Sequence, residues 1–358
     1  NQRIKFIMAY TTIKKPSDYF NTKLYTGNES TNAITGVGFQ PDFVWMKNRD
    51  SAYYHGLYDS VRGTGNTKSL YSNAAEAEGQ NSGNMNLASF NSDGFTLGAT
   101  SSTNIINKSS QNHVSWNWKA NSAGSANTDG SITSTVSANT TSGFSIVKYT
   151  GNGGNSTVGH GLNSPVKAIW VKALNASDSW TCGFQGMPDS WSDYLRLDTT
   201  TVFGTNTNIW QNTAPTNSLF YVGHGDVNTS GREYIAYCFA DVQGYSKVSG
   251  SYVGNGSTDG TFVYTGFSPA FVLTKNASST SEWHIYDNKR DTTNPNSNVL
   301  SPNATYADSI SSNCDTDFLS NGFKLRNNNS NRNESGSTHI YMAFAEEPLV
   351  GDNPATAR

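Results

Sequence analysis

A block of about 90 residues occurs three times in this 358-residue chain, and a repeat of that length restricts it to a fold assembled from three copies of one self-contained unit. The copies open at Tyr25-Thr26-Gly27-Asn28, Tyr149-Thr150-Gly151-Asn152 and Tyr252-Val253-Gly254-Asn255. Each continues into a Gly and a Pro leading to an apolar run that ends in Lys, at 38–47, 161–172 and 266–275. Each closes on an alternating aromatic segment, at 113–120, 234–240 and 339–345. From the opening Tyr to the last ring, Trp118, Phe239 or Phe344, the separations are 93, 90 and 92 positions, so the ends of the block are held while its middle varies. Solenoid repeats of about 20 to 45 residues cannot bury a core alone, whereas blocks of this size can.

Inside the blocks the apolar residues alternate. Phe144, Ile146 and Lys148 fall on one face and Ser145, Val147 and Tyr149 on the other, which predicts strands with one face on a core and the other toward solvent or a neighbour. The abundant Thr, Tyr, Phe and Trp suit a pleated surface, and Asn152-Gly153, Asn255-Gly256, Asp259-Gly260 and Asn321-Gly322 suit hairpin turns. The nearest approach to a helix is 72–79, with Ala74, Ala75, Glu76, Ala77 and Glu78, room for one or two turns. The expected fold class is therefore all-β, with three tandem antiparallel β-sandwich, jelly-roll-like modules. Their boundaries read as an N-terminal arm over 1–19, modules over 20–120, 143–242 and 250–348, and a C-terminal tail over 349–358. Residues 121–142, almost wholly Asn, Ser, Thr, Gly and Ala, read as a linker. The short piece at 241–250 implies closer coupling of the second and third modules.

The copies differ. Leu57-Tyr58-Asp59-Ser60-Val61-Arg62 matches Ile285-Tyr286-Asp287-Asn288-Lys289-Arg290, and the Phe90 to Leu97 stretch matches Phe318 to Leu325, but the middle module carries neither element. Because Asp59 and Arg62 recur as Asp287 and Arg290, they read as scaffold, a carboxylate fixing a turn and a guanidinium crossing to a neighbour. The middle module has its own segment between Trp180 and Phe220, and variation on a constant frame is how binding loops are made. Trp180, Trp191, Asp193, Tyr194 and Trp210 are the candidate ligand-binding residues, the rings as stacking platforms and the carboxylate as an acceptor for sugar hydroxyls.

Catalytic and cofactor signals are absent. No metalloprotease, nucleophile-elbow or phosphate-loop motif occurs, so neither a catalytic residue, a metal nor a cofactor is expected, and the reading is of a non-enzyme. His160 and His224 lie in matching Val-Gly-His-Gly settings and read first as turn residues. Cys182, Cys238 and Cys314 are odd in number and read as small buried apolar groups. A net charge of −3 with 14% charged residues gives no footprint for nucleic acid, and no segment suits membrane insertion.

The combination of Met8-Ala9-Tyr10-Thr11-Thr12-Ile13, residues 15–28, Gly36-Val37-Gly38-Phe39-Gln40-Pro41-Asp42-Phe43-Val44-Trp45-Met46-Lys47 and Trp116-Asn117-Trp118-Lys119-Ala120 resembles a family of virion proteins of marine and cyanobacterial phages. The likeness continues through Asp129-Gly130-Ser131-Ile132, 234–240 and 341–346. Members are described as tail-fibre or structural proteins, and the resemblance implies a place on the exterior of the particle and a natural start at Met8, leaving 1–7 as an extension. The expected function is a virion surface protein, a tail-fibre or receptor-binding adhesin that contacts a host-surface glycan or outer-membrane receptor. The alternatives are a capsid or tail decoration protein without ligand and a glycan-depolymerising tailspike. Expected partners are other virion proteins and further copies of the chain, as a homotrimer.

Overall fold

The recurring Tyr-x-Gly-Asn opening builds the same hydrogen-bonded corner in all three modules of the computed structural model, which describes residues 11–80, 82–350 and 354–355. The phenols of Tyr25, Tyr149 and Tyr252 donate to the main-chain oxygens of Ile106, Val227 and Arg332 at 2.7, 2.7 and 2.8 Å. Their rings stack on His113, Tyr234 and His339 of the closing strand, at centroid separations of 5.0, 5.2 and 4.8 Å. The main-chain N–H groups of Asn28, Asn152 and Asn255 donate to the side-chain oxygens of Asn107, Asn228 and Asn333, each at 3.0 Å. A β-carbon on Gly27, Gly151 or Gly254 would stand 2.2 to 2.4 Å from a main-chain oxygen of Lys108, Thr229 or Glu334, so the motif needs glycine for close approach.

Each module is an antiparallel sandwich. In the first, strands Phe20–Thr26, Asn112–Trp118, Phe43–Asn48 and Gly56–Asp59 form one sheet in that spatial order, and Asn32–Thr35, Gly94–Leu97 and Leu87–Asn91 form the other. The third repeats this with Ser246–Val253, Thr338–Pro348, Phe267–Asn276 and Trp283–Asp287, covered by Phe262–Tyr264, Gly322–Leu325 and Thr316–Leu319. In the second, Phe144–Thr150, Glu233–Phe239, Ala168–Ala173 and Thr181–Phe184 sit inside an eight-stranded sheet opposite a two-stranded one, Ser156–Gly159 and Leu219–Val222.

Two expectations need correction. Residues 121–142 are not a linker: Ser125–Asn127 and Ser134–Asn139 add to the large sheet of the second module, and Ile132 bridges to Val158 of the small one. Low hydrophobicity did not prevent this, because a strand added to an existing edge gains its ladder hydrogen bonds without needing a core of its own. The stretch 72–79 contains no helix; it is turns and extended chain laid on the second module. The arm expected over 1–19 packs on the body where it is described, since Ile13 is buried in the core. The start expected at Met8 lies outside the described residues.

The apolar runs are buried on both faces. One face of each central strand, Val44 and Met46, Ile169 and Val171, or Val272, packs inside its own sandwich. The opposite face, Phe43 and Trp45, Ala168 and Trp170, or Phe271 and Leu273, enters one shared core with Trp118, Phe144, Phe239 and Phe344. The neighbour that alternation allowed for is thus a sister module.

Equivalent bonds at the three boundaries run in one direction round a closed ring. Trp180 Nε1 of the second module donates to the carbonyl of Tyr71 in the first at 2.7 Å, and Trp283 Nε1 of the third donates to that of Arg196 in the second at 2.9 Å. The corresponding ring in the first module is His55, whose Nδ1 accepts from Trp45 and whose Nε2 meets the Ser301 carbonyl of the third at 3.1 Å. Main-chain bonds close the same cycle in the opposite sense: Glu78 N–H to Leu174, Phe203 N–H to Ala277 and Asp308 N–H to Arg49, at 2.8, 3.1 and 2.8 Å. The chain is its own pseudo-threefold assembly.

Candidate functional site

The five residues singled out in the middle module do not form a ligand site. Trp180 is fully buried and serves the boundary just described. Trp191 and Trp210 meet edge to face, with centroids 6.0 Å apart, inside the core of the module. Trp210 Nε1 donates to the Asp193 carbonyl at 3.1 Å and Trp191 Nε1 to Gln185 at 3.2 Å. Asp193 is fully buried and both its carboxylate oxygens are engaged, one by the Asp189 N–H at 2.9 Å and one by the Thr205 hydroxyl at 2.7 Å. Tyr194 alone is half-buried, and the Arg196 guanidinium lies over its ring at 4.8 Å. These rings fill a core because the extra strands Asp193–Arg196 and Gly204–Thr205 widen the large sheet and need apolar cover.

The repeated Asp and Arg pairs are scaffold. Asp59 accepts the Val61 and Arg62 N–H groups, and Asp287 those of Lys289 and Arg290. Each aspartate also takes its own arginine side chain in a buried ion pair. His160 and His224 serve separate turns: His160 is buried against the Thr216 carbonyl, and His224 caps the short helix Gly225–Asn228. The three cysteines are free and buried. Among the described residues no three His, Cys, Asp or Glu side chains gather as a metal would require.

A different site emerges where the three modules meet. Asn73, Asp198 and Asn303 occupy equivalent positions round the axis and accept the main-chain N–H of His55, Trp180 and Trp283 at 2.9, 3.0 and 2.9 Å. They line a cavity of about 480 Å³ with Tyr54, Glu282 and Tyr306. A second hollow of about 450 Å³, flanked by Tyr53, shares Tyr54 and Thr305 with the first, so the two form one groove along the boundary between the first and third modules. The segment carrying Tyr306 is held there by Asp308, which receives Arg290 at 2.8 Å from its own module and pairs with Arg49 from the first.

The groove breaks the threefold pattern. Counted from the boundary rings His55, Trp180 and Trp283, the positions of Tyr53 and Tyr54 are Asp178 and Ser179 in the second module and Ser281 and Glu282 in the third. Counted from the boundary carbonyls of Tyr71, Arg196 and Ser301, the position of Tyr306 is Glu76 in the first and Thr201 in the second. Three tyrosines therefore gather at one boundary of three, and Tyr306 is 58% exposed. The groove is also polar, with Asn73, Thr199, Thr200 and Asn303 along its walls. Burial pushes the Asp198 carboxyl above its ordinary range. Aligned on Lys47, Lys172 and Lys275, Tyr53 and Tyr54 fall against Asp178 and Ser179 and against Ser281 and Glu282, whereas the longest divergent segment holds core rings.

Beneath the groove those three lysines are buried. Lys172 Nζ reaches the Ala75 carbonyl of the first module at 3.0 Å, and Lys275 Nζ the Thr200 carbonyl of the second at 3.3 Å. Burial lowers Lys47 to about 7 and Lys172 and Lys275 to about 8. A larger cleft of about 540 Å³ at the opposite end of the axis is lined by Lys23, Lys289, Glu346 and Glu347. Lys289 and Glu346 pair there at 3.4 Å, and among the described residues the one ring that lines it, Phe20, is buried.

The chain belongs to a family described as a domain of unknown function (DUF7483), whose sequence profile matches residues 15–348. No curated protein and no solved structure matches it.

Proposed function

For this member of the family we propose the role of a bacteriophage virion surface protein, an adhesin of tail-fibre type that holds a host-surface glycan in the groove between its first and third modules. The observation that carries the reading is the gathering of Tyr53, Tyr54 and Tyr306 at one boundary of an otherwise repeated ring. Tyr53 and Tyr54 lean on the first module's core, but closing the ring does not demand three tyrosines, since the other two boundaries close with Asp178, Ser179 and Glu76, or Ser281, Glu282 and Thr201. One exposed ring, Tyr306, and two half-buried ones, Tyr53 and Tyr54, beside short amide, hydroxyl and carboxylate groups suit sugar rings, whose apolar faces stack and whose hydroxyls need both donors and acceptors. The resemblance to phage virion proteins supports the setting.

The geometry also gives the protein a polarity. Thr11 packs on Gly244, and Ala355 donates to the Pro348 carbonyl, both at the end of the axis opposite the groove. The role is one of binding without cleavage.

A second reading, a decoration protein, draws on the third module. Val253, Phe262 and Tyr264 are 57%, 43% and 56% exposed there, at positions held by Thr26, Ala33 and Thr35 in the first. Contacts between chains, including the homotrimer, would use such a surface, because threefold contact is already made inside one chain. Adsorption of purified protein to host cells separates the readings. Tyr54→Ala with Tyr306→Ala is expected to abolish adsorption with the fold retained. Unchanged adsorption, or loss of the protein from particles instead, would favour decoration, and release of reducing ends from host polysaccharide would promote the tailspike.

A further inference from the structure

We infer that the groove selects neutral glycans, oligosaccharides of hexose or N-acetylhexosamine, and rejects chains carrying uronic or sialic acids; this rests on the glycan reading above. The two hollows share a wall and together exceed what one pyranose ring fills, so the occupant is a run of several sugars laid from the axis across the boundary of the first and third modules. The chemistry of the walls then sets its charge. Among the described residues the formal charges lining the groove are the carboxylates of Asp198 and Glu282, and neither hollow is lined by a described Lys or Arg.

The cations nearby are already committed. Arg49 is paired with Asp308, which also holds Arg290. Lys275 is spent on the carbonyls of Thr200 and Asn276 and the Ser281 hydroxyl, and burial lowers it to about 8. A carboxylated sugar in this groove would face two carboxylates with no guanidinium or ammonium among the described lining residues to receive it, and like charges brought together in a partly desolvated site are disfavoured. Neutral sugar hydroxyls instead find acceptors in Asp198 and Glu282 and mixed donors and acceptors in Asn73, Asn303 and Thr199.

The three modules supply a natural control. At the place of Asp198 the sister modules carry Asn73 and Asn303, which accept the same kind of main-chain N–H. Asp198→Asn therefore removes the charge while keeping that acceptor. Glu282→Gln likewise keeps an oxygen for the Asn303 amide that now donates to it.

The test is calorimetric or array binding of the full chain to neutral hexose and N-acetylhexosamine oligosaccharides of three to six rings, beside the same lengths bearing uronic or sialic acid. Neutral chains are expected to bind at least tenfold more tightly. Combining Asp198→Asn with Glu282→Gln is expected to narrow that ratio, with circular dichroism showing the fold retained. Acidic chains that bind as well as neutral ones would overturn the inference and leave the glycan reading standing, as would a preference for neutral chains that both substitutions leave unchanged. Failure of every oligosaccharide to bind folded protein would overturn both.

Discussion

The phenol of Tyr237 donates a 2.7 Å hydrogen bond to Asp59 across the boundary between the second and first modules. Trp116 does the same to Asp287 of the third module at 3.0 Å. At the remaining boundary the equivalent positions, set by strand register, are Met342 and Phe184. Donor and acceptor have been replaced together there, as burial demands, since a lone carboxylate in a dry core would lack compensation. Tyr237→Phe should cost about 1.5 to 3 kcal/mol in urea unfolding, the value of a hydrogen bond to a charged group. Asp59→Ala should cost more, about 3 to 5 kcal/mol, because it strands the buried Arg62.

Trp180 and Tyr306 should separate stability from binding. Trp180→Phe removes the bond to the Tyr71 carbonyl and should lower stability by about 1 to 3 kcal/mol while adsorption persists wherever the protein stays folded. Tyr306→Ala, at an exposed position, should change stability by no more than about 0.5 kcal/mol and weaken adsorption. Thermal unfolding and cell adsorption on the same preparations give both readouts. The reverse pattern would return the binding role to the middle module.

The repeated glycine gives a local test. Gly27→Ala, Gly151→Ala and Gly254→Ala each force a methyl group against a main-chain oxygen and should each cost about 3 kcal/mol. Gly63→Ala, where φ is 89° but nothing lies within 4 Å, should cost only about 1 to 2 kcal/mol, from backbone strain alone. Equal losses at Gly63 and Gly151 would mean that conformational freedom, not close approach, is what the motif requires.

Acid should weaken the fold. Burial holds His113, His160 and His339 near 4 and pushes His55 and His284 well below the ordinary value. Between about pH 6.5 and 4 the unfolded chain binds more protons than the folded one, so stability falls as pH falls through that window, by up to about 1.4 kcal/mol per group and pH unit. The three buried lysines act in the same sense at higher pH, stability rising with pH from their lowered values of about 7 to 8 up to the ordinary lysine value of about 10.5. Urea midpoints should drop between pH 7.5 and 5.0, and His160→Gln should shrink the drop. A flat profile would show that the buried imidazoles do not control acid stability.

The all-β class and the repeats were legible because period-two alternation and fixed landmark spacing are local signals. Phe43, Trp45 and their counterparts announced strands, and the neighbour they face turned out to be a sister module. Three things were not legible. Residues 121–142 have the composition of a linker, and their strands exist only because the second module offers edges to pair with. The divergent rings Trp191 and Trp210 looked like a binding surface, but a widened sheet needs its own apolar filling, and sequence alone does not distinguish a ring that fills a core from one that faces a ligand. Tyr54 and Tyr306 lie 252 positions apart, and only ring closure brings them together.

That closure bears on how the protein is made. The bond between His55 and Ser301 joins residues 246 positions apart, so it cannot form until all three modules have left the ribosome. Until then Phe43, Trp45 and Trp118, which end up in the shared core, lack the third module's Phe271 and Phe344, against which Trp118 packs at 5.8 and 5.6 Å. Each early module thus spends its youth with an unprotected aromatic face, the kind of surface that draws partly made chains into aggregates. A truncated product lacking the third module should therefore be recovered chiefly in insoluble form, even though each sandwich carries a core of its own.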